Sequence, residues 1–460
     1  VAPWRIAEQA AADATPGDWY SLRAQTLAEA RVFKMGVFGA VKVKEGDPDP
    51  VRFTVPLQVD AQESRFHTIT AGGGIAVDQT RQEVRATTSY VDRDFRGQLR
   101  KLTLNAMAGY AWIPTFYATS ASGAQSGVVG SVSAELEQPR FYFRDLRLQT
   151  RVALERGLEP AYSYYGGRAR VGVAYAPTNQ LTITPSYNLE FYRLQSGAAQ
   201  IGGPAPALLF GCPENCVLSY AEERIEWDMR DDRQEPRNGG YLALALQQGG
   251  GIFGGSFGYF RVVPEARAYA SFLEEDRLTL AARVRLGTLL AGGDETSSPI
   301  VARFYSGGND MRGFNSRRLS PQFVVPQTGS TTLGYTVPIG GNGLFETSFE
   351  VRYAVTRSLV VAAFFDTGFV TRERLRAAAF ADDLYLAVGA GLRYLTPVGP
   401  IRLDLGFRPD VGPPLQLVQA PGSTLSFPAR SGCFGLGSSG PRGGAPEGPC
   451  VVHISIGEAF

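Results

Sequence analysis

The residues able to do chemistry are few, and their spacing excludes most of it. The 460-residue chain has two histidines, His67 and His453, too little for a His-based triad or a His-rich metal centre. Each lies inside a strand-like run and is read as structural. There is no G-x-S-x-G elbow and no Walker A lysine loop. GGGIFG, Gly249 to Gly254, fits G-x-G-x-x-G, but the SFGYFRVVPEARAYA that follows is strand-like where a dinucleotide site needs a helix, so it reads as a hairpin loop. Four cysteines fall in two sets, Cys212 with Cys216 in CPENC and Cys433 with Cys450 in a Gly/Ser/Pro-rich segment. Without neighbouring histidines they argue against zinc and for two disulfides in an oxidising compartment.

The informative charges are an arginine and two acids. Arg312 sits in RFYSGGNDMRGF between Met311, Gly313 and Phe314, while Glu350 lies in FETSFEVRY and Asp366 in VVAAFFDTGF. Two carboxylates could serve as a general acid/base pair, but no nucleophile, metal or pocket accompanies them. Holding a desolvated arginine is the chemistry they suit better. No metal, no cofactor and no enzymatic activity are expected.

The elements that would bring these groups together are strands. With Gly 54, aromatic 11% and charged 19%, the composition is rich in turns and strands. Formal net charge is +1 without a basic cluster, which removes nucleic acid as a partner. The run Tyr241 to Phe260 is interrupted by Gln247, Gln248 and glycines, so it is not a spanning helix, which needs about 20 apolar residues.

Residues 1–64 read as a small α+β module: Trp19 to Met35 has helical spacing, and FGAVKV and VRFTVPLQV alternate as strands across EGDPDP. Val1 begins without a signal peptide, so the chain is expected to be a mature or truncated form. From Arg65 onward sixteen strands are expected, at 66–77, 82–92, 98–112, 127–138, 143–156, 167–176, 179–193, 217–230, 239–248, 256–272, 276–290, 344–355, 358–370, 383–394, 400–408 and 450–460. Many reach the ten or so residues that a tilted strand needs to cross a bilayer.

In IRLDLGFR, Ile401, Leu403, Leu405 and Phe407 share one face while Arg402, Asp404, Gly406 and Arg408 share the other. The same alternation turns Phe364, Asp366, Gly368 and Glu350 toward one interior. A soluble sandwich also alternates, but its strands average about five or six residues. Connection lengths agree with a membrane barrel: even connections are short turns, whereas 113–126, 194–216, 291–343 and 409–449 are long. The expected fold is therefore all-β, a 16-stranded antiparallel transmembrane β-barrel over residues 65–460. The long loop 291–343 folds into the lumen and delivers Arg312 to Asp366 and Glu350.

Taken in order, these stretches resemble a known family. RFYSGGNDMRGF resembles the sixth-loop signature of the BamA/TamA outer-membrane insertase superfamily, an Arg-Gly-Phe/Tyr tripeptide, here preceded by Met311 instead of the usual branched residue. FFDTG fits its F-x-D-x-G motif at Phe364, Asp366 and Gly368. DMRDDRQEPRNGGYL, VGAGLRYLTPVGPIRLDLGF and the closing ISIGEAF match as well, and FHTITAGGGIAVDQTRQ looks like the TamA-type first hairpin. ARVFKMGVFGAVKV before DPDP is similar to the later part of a POTRA domain, which makes residues 1–64 a partial C-terminal POTRA domain in the periplasm.

The resemblance implies an outer-membrane assembly factor of a Gram-negative bacterium that inserts or folds β-barrel or autotransporter-type clients. A lateral gate would lie between strands 66–77 and 450–460, marked by Gly72, Gly73, Gly74, Ile454, Ile456 and Phe460. Expected partners are unfolded outer-membrane clients and outer-membrane lipids, with periplasmic chaperones, an inner-membrane partner or accessory lipoproteins as further candidates. The alternative within the superfamily is a two-partner secretion transporter that exports an unfolded chain. A passive porin is a third reading, disfavoured by the plugging loop.

Overall fold

The computed structural model describes residues 3–77, 81–113, 124–143, 145–160, 162–196, 215–292, 298–326, 334–396, 401–409, 413–419, 430–431, 433, 438–439 and 448–456. The N-terminal module begins with helix α1 (Pro3–Ala10), which the sequence reading did not anticipate, and α2 (Leu22–Phe33). Ser21 caps α2, its side chain accepting from the Ala24 N–H. Ala28 and Val32 on the inner face of α2 pack with Val37 and Phe38, so the helix is held by its apolar stripe against the strands.

Strands β1 (Phe38–Glu45) and β2 (Leu57–Glu63) pair antiparallel, with Val43 opposite Val59. The second strand was expected at 51–59 and begins later. The Asp49 carboxylate accepts the Val51 and Arg52 N–H groups, which folds that stretch into a turn, and Pro56 has no donor for a ladder.

Sixteen strands then form one antiparallel sheet. They are β3 (His67–Val77), β4 (Gln82–Phe95), β5 (Arg100–Ile113), β6 (Gln125–Gln138), β7 (Leu146–Leu158), β8 (Tyr162–Tyr175), β9 (Leu181–Ser196), β10 (Asn215–Asp228), β11 (Gly239–Gly249), β12 (Tyr259–Phe272) and β13 (Leu278–Ala291). After a long insertion come β16 (Gly343–Ala354), β17 (Leu359–Thr371), β18 (Tyr385–Tyr394), β19 (Ile401–Phe407) and finally β23 (Cys450–Ile456). The insertion holds the hairpin β14 (Gln322–Pro326) and β15 (Gly334–Pro338). The last connection holds β20 (Leu417–Val418), β21 (Arg430–Ser431) and β22 (Ser438–Ser439), while a short helix, α3 (Ala379–Asp382), follows β17.

The count matches the sequence reading, and the differences fall at strand ends. The largest is at β8, which starts at Tyr162 instead of residue 167. The added residues include Gly166, which pairs with Tyr192 inside the ladder next to the Gly167–Phe191 pair.

Alternation sets the two faces. On β19, Ile401, Leu403, Leu405 and Phe407 point outward and are each more than 40% exposed, while Arg402 and Asp404 are buried in the lumen. Such an apolar exterior over charged interior positions suits a lipid-embedded barrel. Among the described residues no helix is long and apolar enough to cross a membrane, which says nothing against crossing by strands.

The described residues of this insertion, 298–326 and 334–342, fold inward against the wall. Ile300, Phe304, Phe323, Val325, Val337 and Ile339 from this loop form one apolar cluster with wall residues such as Tyr192, Leu218, Tyr220, Leu289 and Leu344. β14 adds β20 in parallel, tying this loop to the last connection. The sheet order begins at β3 and ends at β23; among the described residues no ladder joins these two strands.

Candidate functional site: the loop-six latch and the seam

The tip of the inward loop is a tight turn. Gly307, at φ 117°, would place a Cβ 2.2 Å from the Asn315 carbonyl oxygen, so the turn requires glycine. The Gly308 N–H donates to the Phe314 carbonyl at 2.9 Å and closes it. Met311 and Phe314 are fully buried. Phe314 stands edge-on to Tyr385 with centroids 5.7 Å apart and lies under the Arg408 guanidinium at 4.4 Å. Gly313 lies against Ala387.

These contacts deliver Arg312 to the wall, where it is 1% exposed. Its Nε and Nη2 donate to Asp366 Oδ2 and Oδ1 at 2.8 and 2.7 Å, a two-pronged bond. Nη1 donates to Glu350 Oε2 at 2.6 Å and Nη2 to Ser348 Oγ at 3.0 Å, while the Arg312 backbone N–H also reaches Asp366 at 3.1 Å. The guanidinium carbon sits 3.5 Å from the centre of the Phe364 ring, within cation–π range. Burial opposes the charge, but the bonds and charges of Asp366 and Glu350 outweigh it and hold the Arg312 pKa above the ordinary arginine value.

The backbone is fitted as closely as the side chain. A Cβ on Gly406 would lie 2.0 Å from the Arg312 carbonyl oxygen, so β19 needs a glycine where the loop rests on it. That same oxygen is 3.0 Å from His453 Nε2, which donates to it. His453 stands on β23, one of the two seam strands, and is 6% exposed. The arginine loop is therefore bonded to β16 and β17 through its side chain and to the last strand through its carbonyl.

Around this core four guanidiniums, Arg312, Arg352, Arg393 and Arg402, share three carboxylates, Glu350, Asp366 and Asp404. Glu350 alone accepts from Arg312, Arg352 and Arg393, at 2.6, 2.6 and 2.7 Å. Asp404 takes Arg402 at 2.9 Å and lies 3.6 Å from Arg312. The buried interior is thus a hydrogen-bonded ionic network; its acids are engaged with arginines, an arrangement suited to holding a loop.

Of the expected site residues, the latch group Met311, Arg312, Gly313 and Phe314 and the wall group Glu350, Phe364 and Asp366 come together in one contact network. Gly368 sits at the external end of β17, paired with Glu346 on one side and Tyr385 on the other. Sequence reasoning missed Ser348 and Asp404 as arginine partners, and it read His453 as merely structural. Alternation puts Asp404 on the inner face, but only the register, which sets it opposite His453 and Gly391, reveals its neighbours.

The expected gate residues lie on the two end strands. Gly72, Gly73 and Gly74 pair with Thr87, Ala86 and Arg85 of β4, and Ile454 points outward, 62% exposed. The backbone of Ile456 ends β23; Phe460 lies outside the described residues. A Cβ on Gly73 or Gly74 would meet only ordinary contacts at 3.8 Å or beyond, so packing does not demand glycine there. A disulfide joins Cys433 to Cys450. Cys216 is also disulfide-bonded, and Cys212 lies outside the described residues.

Comparison with known proteins agrees with this geometry. The Omp85 superfamily domain matches residues 68–411. The outer membrane protein assembly factor BamA of Nitratidesulfovibrio vulgaris is 25% identical over 355 residues, covering 73% of this chain; the chain spans only 43% of that relative's length. Among solved structures, BamA from Haemophilus ducreyi lacking POTRA domains 1–3 superposes with a TM-score of 0.64 at 14% identity, covering 86% of this chain and 76% of that one. CdiB from Acinetobacter baumannii follows the same fold with a TM-score of 0.52 at 13% identity, covering 86% of this chain and 66% of that one. The domain match, spanning the barrel from its first strand through the latch to beyond β19, makes this chain a member of the Omp85 superfamily and an outer-membrane protein of a Gram-negative bacterium.

Proposed function

We propose that the protein is an assembly factor that inserts or folds β-barrel or autotransporter-type clients into the outer membrane, through a lateral gate between β3 and β23. The observation that carries this reading is the sheet that ends on these two strands, with no ladder between them among the described residues. An unpaired strand edge in lipid is costly, so such a seam favours pairing with the edge of an incoming strand. The apolar cluster that seats loop-six residues Ile300, Phe304, Phe323, Val325, Val337 and Ile339 against the inner wall favours the lateral route over axial export.

In this reading Arg312 is a structural latch, with Asp366 and Glu350 as its wall partners. Residues 1–64 act as the C-terminal part of a POTRA domain that receives clients on the periplasmic side. Supporting that orientation, the module docks on the short-turn end of the barrel. Arg5 donates to the Gly97 carbonyl at 3.2 Å, Lys34 Nζ donates to Asn179 Oδ1 at 3.0 Å, and Glu8 pairs with Arg140.

The test is reconstitution into lipid vesicles with an unfolded barrel client. The expected result is faster formation of protease-protected, folded client than in empty vesicles. No acceleration would contradict the reading, and if accompanied by a large steady conductance in planar bilayers it would point instead to a passive porin.

A further inference from the structure

Halfway round the sheet from the seam, the outer wall carries a charge where alternation calls for an apolar residue. β10 is the eighth of the sixteen strands counted from β3. Its Glu223 shares a face with Trp227, which is 46% exposed, and pairs with Pro185 of β9 and Leu246 of β11. Glu222 and Arg224 on either side point into the lumen, where Glu222 accepts from Gln247 at 2.6 Å and Arg224 donates to Glu226 at 3.0 Å. Glu223 itself is exposed, and among the described residues nothing bonds its carboxylate.

Depth makes this placement costly. Tyr175, Trp227, Phe272, Tyr353 and Tyr394 are exposed at or near the periplasmic ends of their strands, as in the aromatic girdle of a membrane barrel. Glu223 stands four residues above Trp227, about 10 Å further into the hydrocarbon for a strand tilted about 40°. A charge facing lipid at that depth destabilises a barrel, and ionisable side chains held within a membrane mark sites where a partner is met.

The wall around it is shaped as a seat. Val171, Val173, Pro185, Tyr187, Leu246 and Phe260 enclose with Glu223 a groove of about 570 Å³. A second hollow, of about 420 Å³, lies beside it over Ile225, Leu244 and Pro264. Pro185 has no N–H to give, and the β8–β9 ladder skips from the Gly172–Ser186 pair to the Tyr175–Ile183 pair. The wall beside the free carboxylate is therefore short of a donor as well.

We propose that this face docks a transmembrane segment of another membrane protein that brings a lysine or arginine to Glu223. Charge and depth together select that occupant. A lipid ammonium lies at the level of the girdle, about 10 Å away, whereas a basic side chain on a spanning segment can sit at the height of Glu223 and is itself stabilised by a carboxylate there. A second copy of this chain fits poorly, because the arginines on its own outer wall stand near strand ends: Arg156 and Arg193 externally, Arg100 on the periplasmic side. Two upright barrels do not bring them to Glu223. The proposal takes nothing from the assembly reading beyond a barrel in lipid.

The test uses the full chain in lipid vesicles, with a donor dye at Glu274→Cys in the exposed turn after β12, and an acceptor-labelled polyleucine peptide of about 20 residues with one central lysine. Energy transfer is compared with that to a twin peptide carrying norleucine in place of the lysine. The lysine peptide is expected to bind at least about tenfold more tightly than its twin, and Glu223→Gln should bring it down to the twin's level. Ala221→Trp fills the groove while keeping the charge, and should weaken the lysine peptide as well. Equal binding of the two peptides, or undiminished binding in Glu223→Gln or Ala221→Trp, would overturn the proposal. Energy transfer between donor-labelled and acceptor-labelled barrels without peptide, lost in Glu223→Gln, would overturn it in favour of a second copy. Because this face lies halfway round from the seam, Glu223→Gln should leave client insertion at its original rate, so failure here and failure of the assembly reading are distinguishable.

Discussion

Arg312 illustrates what one residue can hold when its surroundings are built around it. It gives five donor contacts to Asp366, Glu350 and Ser348, counting its backbone N–H. Removing one partner of such a pair strands a buried charge at a cost of about 3–5 kcal/mol. Arg312→Ala and Asp366→Ala should each loosen loop six by that order, with the double variant far less than additive, as read by protease nicking of the loop in folded barrels. Full additivity would mean that the two do not interact. His453→Ala tests the second attachment. Leaving the buried Arg312 carbonyl unbonded should raise amide exchange in β23 about tenfold, while exchange in β12 and β13 stays unchanged. The Arg312–Asp366–Glu350 grouping was legible because alternation assigns each strand residue a face and a buried arginine requires acids. Ser348, Asp404 and His453 were not, since their approach depends on cross-strand register and on where the loop backbone rests against Gly406.

At the scale of elements, β3 and loop six carry opposite instructions. Loop six is pinned by an apolar cluster, a tip that needs Gly307 and a shared sheet with β20. β3 carries three consecutive glycines, which weaken strand preference; Gly73 and Gly74 have no steric need to be glycine, whereas a Cβ on Gly72 would come within 3.3 Å of Thr87 Oγ1. Gly73 lies on the outward face with Ile69 and Ile75, which are 76% and 75% exposed, so valine there meets lipid. Gly73→Val should slow amide exchange across β3 and reduce client insertion; unchanged exchange would show that the glycines do not set the strand's mobility. The strands were readable from period-two alternation and the loops from their length. Their ends were not: β8 begins at Tyr162, ahead of the expected residue 167, and the Val51–Pro56 stretch has strand composition but is folded by Asp49. Helix α1 was missed because its eight residues follow no apolar stripe long enough to stand out.

For the molecule as a whole, the parts divide the work. The described loop-six residues pack against the inner wall, the latch and the His453 bond fix the loop to the wall and to one side of the seam, and the seam remains the part of the sheet without a ladder among the described residues. Sixteen strands, short turns at one end and long loops at the other were all legible, since a lipid-facing barrel imposes a strict pattern on every strand. The juxtaposition of β3 and β23 as the two ends of the sheet was expected only through the family resemblance, because nothing in the composition of either strand names its partner across a gap. The most direct measurement couples Ile69→Cys to Ile454→Cys with a short thiol cross-linker and follows client insertion into vesicles; both side chains face outward, one on each end strand. The account predicts that the cross-linked barrel loses insertion and that a cleavable linker restores it when cut. Insertion at the uncross-linked rate with the seam covalently closed would contradict it.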